Sequence, residues 1–139
     1  MKNLRNAYCN IIFMGENGGF KDVKDFIKQI KAMIIYSKCN RYIVIGSHKC
    51  NAVIPNMKCM YEMENSLQQA FGKHYLCIRK PLVQKGLQFA NLQATKVDED
   101  SVRKGVVPPQ LLVGGLHFTS KGYEFIGDLV SQKMKELDY

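Results

Sequence analysis

The sequence predicts an α/β protein in which short parallel strands alternate with amphipathic helices. Two apolar runs, 10–14 and 41–46, each end in a glycine turn, and segments of helical periodicity follow them at 21–36 and 57–71. An order of strand, helix, strand, helix is typical of right-handed crossovers, which build a parallel sheet with helices on both faces. At 139 residues the chain has room for one sizeable core, so we expect residues 1–139 to form a single domain.

Two different periodicities indicate the first strand and the first helix. The run 10–14 is apolar apart from Asn10, which is typical of a strand buried on both faces. In 21–36 the apolar residues return every three or four positions, which predicts a helix with one buried stripe. That stripe consists of Val23, Phe26, Ile27, Ile30, Met33 and Ile34.

The middle of the chain repeats this alternation. The β-branched run 41–46 predicts the second strand, and 57–71 predicts a helix that stops at Gly72. A third strand is expected at 74–78.

The periodicity weakens from residue 79 to residue 113, a region that contains the acidic run 98–100. We interpret 79–113 as a long loop with short helical pieces. Ser120 is a suitable cap for a last helix, whose apolar stripe is Tyr123, Ile126, Leu129, Val130, Met134 and Leu137.

Composition excludes some classes of protein and leaves others open. An apolar share of 46% argues against a disordered chain, and no apolar run is long enough to predict a membrane span. The formal charge of +8 is compatible with an anionic partner such as a nucleic acid. However, the lysines are dispersed, and those at 21, 24, 28 and 31 fit the solvent face of one helix. We therefore rank nucleic-acid binding as the weakest hypothesis.

The cysteines predict reduced thiols in a cytoplasmic protein. There are five, an odd number, and none forms a C-x-x-C pair. His48 and Cys50 are the histidine and cysteine that lie closest together in the sequence, and one such pair falls short of the clustered ligands that zinc needs. We expect no metal and no cofactor.

Two polar turns carry the candidate chemistry. Asn17 follows the first strand, where its amide could stabilise an oxyanion, although asparagine and glycine are also common in plain tight turns. His117 precedes the last helix and could act as a general base, or it could be a structural residue. Because ligands of parallel sheets gather at the carboxyl ends of the strands, we expect the two turns to converge there.

The two turns together resemble conserved blocks of the SGNH hydrolases, the GDSL-type esterases and acylhydrolases. Ile11-Ile12-Phe13-Met14-Gly15-Glu16-Asn17 is similar to their strand followed by a Gly-x-Asn turn. Leu116-His117-Phe118-Thr119-Ser120-Lys121-Gly122-Tyr123 resembles their last block, which carries an Asp-x-x-His motif. The resemblance runs from about Tyr8 to the C-terminus.

The resemblance implies a three-layer α/β/α, flavodoxin-like fold and hydrolysis of a small ester, such as an acetyl ester, without a metal. It implies that Asn17 belongs to the oxyanion hole and that His117 is the catalytic base, with Gly15 and Glu16 as accessory residues of the same turn. In the family a serine attacks the ester carbonyl while the histidine takes its proton.

The sequence departs from the family pattern in two ways. The blocks that carry the serine and a glycine belong upstream of Ile11, where only ten residues stand, and the aspartate position before His117 is Gly114. Ser47, after the second strand, is the remaining candidate nucleophile, but most such serines are turn residues. We read His48 beside it as a surface turn residue. We therefore expect little or no activity from the chain alone.

The missing first strand has a structural consequence. It would leave an apolar strand edge open, and open edges pair with other chains. We expect a homo-oligomer or a complementing chain at this edge. The alternative to a hydrolase is a non-catalytic binding or assembly module that retains the fold.

Overall fold

A computed structural model describes residues 7–16, 18–49 and 57–139. In this part of the chain five α-helices and five short strands follow one another. They are β1 (Asn10–Phe13), α1 (Val23–Ser37), β2 (Tyr42–Ile45), α2 (Met57–Phe71), β3 (Tyr75–Leu76), α3 (Arg79–Phe89), α4 (Lys96–Arg103), β4 (Leu112–Val113), β5 (His117–Phe118) and α5 (Ser120–Glu136).

The predicted α/β class and the parallel sheet are confirmed. The strands lie in the order β1, β2, β3, and β2 pairs in parallel with both neighbours, with Ile12 beside Val44 and Ile45 beside Leu76. Side chains of β2 alternate between two apolar clusters, as the pleat requires. Ile43 and Ile45 pack with residues of α3 and α5, whereas Val44 packs with residues of α1 and α2.

The expectation that the first strand is buried on both faces is wrong. β1 is the outer strand of the described sheet, and the side chain of Ile11 is 50% exposed. A continuous apolar run does not distinguish a central strand from an edge strand, because that difference is set by which elements cover it.

The region from 79 to 113 is more regular than the long loop that we expected. It contains α3 and α4, and the acidic run opens α4 instead of lying in a loop. Thr95 and Asp98 form a reciprocal capping box there, and fully buried Asp98 also accepts a hydrogen bond from the side chain of Gln110. A single turn of acidic residues therefore starts a helix and holds the segment that follows it. The cap of α5 is Thr119, not Ser120.

A buried ion pair joins α2 to α3. Arg79 donates from Nε to one oxygen of Glu64 at 2.6 Å and from Nη2 to the other at 2.8 Å, and its Nη1 donates to the carbonyl of Gly105 at 2.7 Å. The two side chains are only 4% and 6% exposed. Since both carboxylate oxygens and three guanidinium donors are satisfied, the pair meets the condition under which a buried charge is tolerated.

The structure bears on two further expectations, one about membrane spans and one about the cysteines. None of the helices in the described ranges is long and apolar enough to cross a membrane. Cys9, Cys39 and Cys77 are free thiols, whereas Cys59 is disulfide-bonded, which departs from the expectation of reduced cysteines.

Two helical glycines differ in their surroundings and give a matched pair of variants. A Cβ at Gly86 in α3 would lie 2.5 Å from Cδ1 of buried Leu111, whereas a Cβ at Gly127 in α5 would meet nothing within 4 Å. We expect Gly86→Ala to lower the free energy of unfolding by about 1–3 kcal/mol, because a close-packed core must shift. Gly127→Ala should instead raise it by up to about 1 kcal/mol through helix propensity. Urea denaturation of both variants tests this packing, and equal effects would contradict it.

Candidate functional site

A glycine turn follows β1 at the carboxyl edge of the sheet. Gly15 has a φ of +103°, and the amide of Gly18 donates to the carbonyl of Gly15. A Cβ at Gly15 would lie 2.8 Å from the ring of Phe26, so both the backbone angle and the space require glycine. Asn17, the predicted oxyanion donor, lies outside the described residues.

A β-hairpin presents His117. Strands β4 and β5 pair antiparallel, with Val113 opposite His117, and Gly114 and Gly115 form the turn with φ of +61° and +68°. Because neighbouring side chains of a strand point to opposite faces, His117 is exposed while Phe118 is buried. The sequence predicted a loop at this place, since strands of two residues leave no periodicity to detect.

The two turns converge on one pocket of about 410 Å³. Its walls combine apolar side chains with one carboxylate and one imidazole, and it is lined by Phe13, Met14, Gly15, Glu16, Gly18, Leu116, His117, Phe118 and Tyr123. Segments far apart in the chain therefore meet at the carboxyl edge of the sheet, where ligands of α/β proteins bind.

The ring of His117 is not oriented by a described side chain. Within the described residues, the histidine rings that form hydrogen bonds are those of His48 and His74. Gly114 lies in the hairpin turn and a side chain there would meet nothing within 4 Å, so this position is poorly placed to orient the imidazole. The imidazole is exposed at the mouth of the pocket.

Glu16 binds the residues that follow β2. Its Oε1 accepts hydrogen bonds from Ser47 Oγ at 2.8 Å, from the His48 amide at 3.2 Å and, with Nδ1 protonated, from the His48 ring at 2.9 Å. The carboxylate thus connects the end of β1 to the end of β2. Because Oε1 is occupied by the turn after β2, it does not orient the ring of His117.

His48 is a buried residue, and our interpretation of it as a surface turn residue is wrong. It is 6% exposed, and its ring packs on Phe118 with centroids 4.7 Å apart. Its Nε2 and Glu16 Oε2 are buried and have no hydrogen-bond partner among the described residues. No signal in the sequence distinguishes this histidine, because the ring that covers it comes from β5.

Glu16, Ser47 and His48 form one hydrogen-bonded group, the Glu16 cluster. Its electrostatics favour an ionised Glu16. Burial by itself raises the pKa of Glu16, but hydrogen bonds and charge from His48 and a hydrogen bond from Ser47 outweigh it. The pKa of Glu16 therefore lies below its ordinary value of 4.5. A carboxylate at the pocket wall stays negative at neutral pH.

Ser47 lies behind the pocket wall. It is 3% exposed, its hydroxyl is engaged with Glu16 and with the carbonyl of Lys49, and it is not among the residues that line the pocket. Sequence reasoning also missed Phe118 and Tyr123 as lining residues, because it assigned Tyr123 to the apolar stripe of α5.

The described part of the chain contains no cluster of three or more histidine, cysteine, aspartate or glutamate side chains suited to a metal ion. Comparison of the chain with protein-family models, with curated proteins and with solved structures found no match.

The Glu16 cluster predicts a pH-dependent contribution to stability. We expect Glu16→Gln to lower the free energy of unfolding by about 1–3 kcal/mol at pH 7, because buried donors lose an anionic acceptor. A folded-state pKa below 4.5 means that this stabilisation is complete above 4.5 and is lost as the pH falls through the folded pKa. The difference between the two proteins should therefore shrink in acid.

Chemical denaturation of both proteins at a series of pH values measures this effect. Glu124→Gln is the matched control, since Glu124 is 55% exposed and pairs with Lys121 at the surface, and it should change stability by less than about 0.5 kcal/mol. A Glu16 effect that stays constant into strong acid would argue against an ionised carboxylate in this cluster.

Proposed function

We propose that the chain carries the general base and an oxyanion-hole donor of an SGNH-type ester hydrolase site. The support is one observation: the turn after β1 and the His117 hairpin line the same pocket. An imidazole at the mouth of a mostly apolar pocket can act as a general base, and the resemblance assigns the oxyanion donor to the turn that follows β1. The three-layer, flavodoxin-like fold and a cytoplasmic location belong to the same proposal.

The substrate in this proposal is a small ester. A pocket of about 410 Å³ lies in the range of small-molecule sites, and Phe13, Met14 and Leu116 offer an apolar wall for a short acyl group. His117 takes the proton of the attacking hydroxyl and returns it to the leaving alcohol, and it then deprotonates a water that releases the acyl group from the serine as the free acid. Asn17 donates its amide to the oxyanion. No cofactor takes part.

The nucleophile in this proposal comes from another chain. No serine lines the pocket in the described residues, and the hydroxyl of Ser47 is buried against Glu16. Its hydrogen-bond partner is a carboxylate whose pKa is lowered, and such a carboxylate is too weak a base to activate a serine. The chain alone therefore has little or no esterase activity, and a partner that brings a serine to the His117 side of the pocket restores it.

Hydrolysis of p-nitrophenyl acetate tests the role of His117. We expect slow turnover by the chain alone that falls to the buffer rate in His117→Ala, and a loss of roughly a hundredfold or more in a partner-completed site. His74→Ala is the matched control, because His74 lies at the opposite end of the sheet beside Tyr42 and Tyr139. Turnover that survives His117→Ala unchanged would refute this mechanism.

The second candidate is a non-catalytic binding module. Two observations favour it. Position 114 is a glycine, so it provides no carboxylate to orient His117, and Ser47 is buried behind the pocket wall. In that case the chain binds a ligand or partner and the complex shows no esterase activity. A pull-down that recovers a defined partner, followed by the same assay on the complex, separates the two candidates, since His117-dependent turnover appears only in the first.

A further inference from the structure

One side of β1 has no partner strand in the described sheet. The amide of Asn10 donates to the carbonyl of Arg41, so Asn10 and, two residues on, Ile12 direct their backbone groups toward β2. Backbone groups alternate in direction along a strand, and therefore those of Ile11 and Phe13 face the open side. An unpaired row of this kind is a template for another strand.

An apolar groove of about 610 Å³ lies along this open edge, between β1 and α1. The side chains of Ile11, Met33 and Tyr36 are 50%, 38% and 57% exposed. The groove is lined by Asn10, Ile11, Ile12, Ala32, Met33, Tyr36 and Ser37, none of which is charged. A contiguous apolar surface beside an open strand marks an association site more often than scattered apolar residues do.

The lysines of α1 lie away from this groove. Natural sheets protect open edges with lysine, proline or bulges, and β1 has none of these. Lys24, Lys28 and Lys31 form a stripe on α1 that is rotated by roughly 120° from Ala32, Met33 and Tyr36 at 3.6 residues per turn. Two copies of a chain with a charge of +8 can therefore meet at this edge without bringing these lysines face to face.

We propose that the β1 edge and its groove form the two-fold interface of a homodimer. A two-fold axis between identical edges makes the two β1 strands antiparallel. Because Ile11 and Phe13 offer the outward backbone groups, Ile11 of one copy pairs with the partner's Phe13 and Ile12 lies at the axis. The three-stranded sheets then become one sheet of six strands, and Met33 and Tyr36 pack across the axis.

The backbone geometry of the edge is consistent with this occupant. Four backbone hydrogen bonds at the edge set the register, while the exposed apolar side chains supply the buried centre. Two copies that each carry a charge of +8 repel each other except where uncharged surfaces meet, and β1 and the groove form such a surface, so we assign it to a second copy.

Sedimentation velocity across protein concentrations from about 1 to about 100 μM tests the dimer. We expect the natural chain to sediment as a dimer at high concentration and Ile11→Lys to weaken association at least about tenfold, because a lysine at the edge blocks pairing. Ile35→Lys is the matched control. Ile35 is 76% exposed on the lysine-bearing side of α1, and its substitution should leave the dimer intact. Circular dichroism confirms that both variants fold.

Amide hydrogen exchange locates the interface in the same samples. The amides of Ile11 and Phe13 should exchange slowly at high protein concentration and quickly on dilution or in Ile11→Lys. A natural chain that stays monomeric at the highest concentration would overturn the proposal, as would a dimer that Ile11→Lys does not weaken. No substrate is involved, so these results are independent of the hydrolase proposal.

Discussion

The parallel pairing of β2 with both neighbours is the constraint on which the rest of the structure depends. Parallel strands end at the same edge of a sheet, so the segments that follow β1, β2 and β3 lie side by side. Two carboxylates hold these ends. Glu16 binds Ser47 and His48 after β2, and Glu64 binds Arg79 at the start of α3. Since a buried charge is tolerated only when it is paired, each carboxylate restrains the junction where it lies.

The same topology produces two surfaces of different character. At the strand ends, the pocket combines apolar walls with Glu16 and His117, which suits chemistry on a small ligand. Along the open side of β1, the groove presents Met33 and Tyr36 without a charged residue, which suits burial against another polypeptide. β1 contributes to both, because its last residue and the turn after it line the pocket while its outer side borders the groove.

The β4–β5 hairpin shows how two adjacent residues acquire opposite roles. His117 faces the pocket, and Phe118 points inward, where it covers the ring of His48. One short element therefore presents an exposed imidazole and buries another. The buried ring is held by Glu16 through Nδ1, which leaves Nε2 without a hydrogen bond from a described residue. Glu16 lies in the pocket wall, and Ser47 and His48 bind it from behind. His117 is the only described histidine that lines the pocket.

The sequence by itself determined the alternation of strands and helices from β1 to β3, the last helix, the parallel sheet and the meeting of two distant turns at one edge. Periodicity and crossover handedness are local or general rules, so they can be applied without coordinates. Tertiary structure alone decided that Ile11 is exposed and that His48 is buried. Burial depends on which distant element covers a residue: β5 supplies Phe118 over His48, and no described strand lies beyond β1. A neighbour brought close only by folding leaves no periodicity in the segment that it covers.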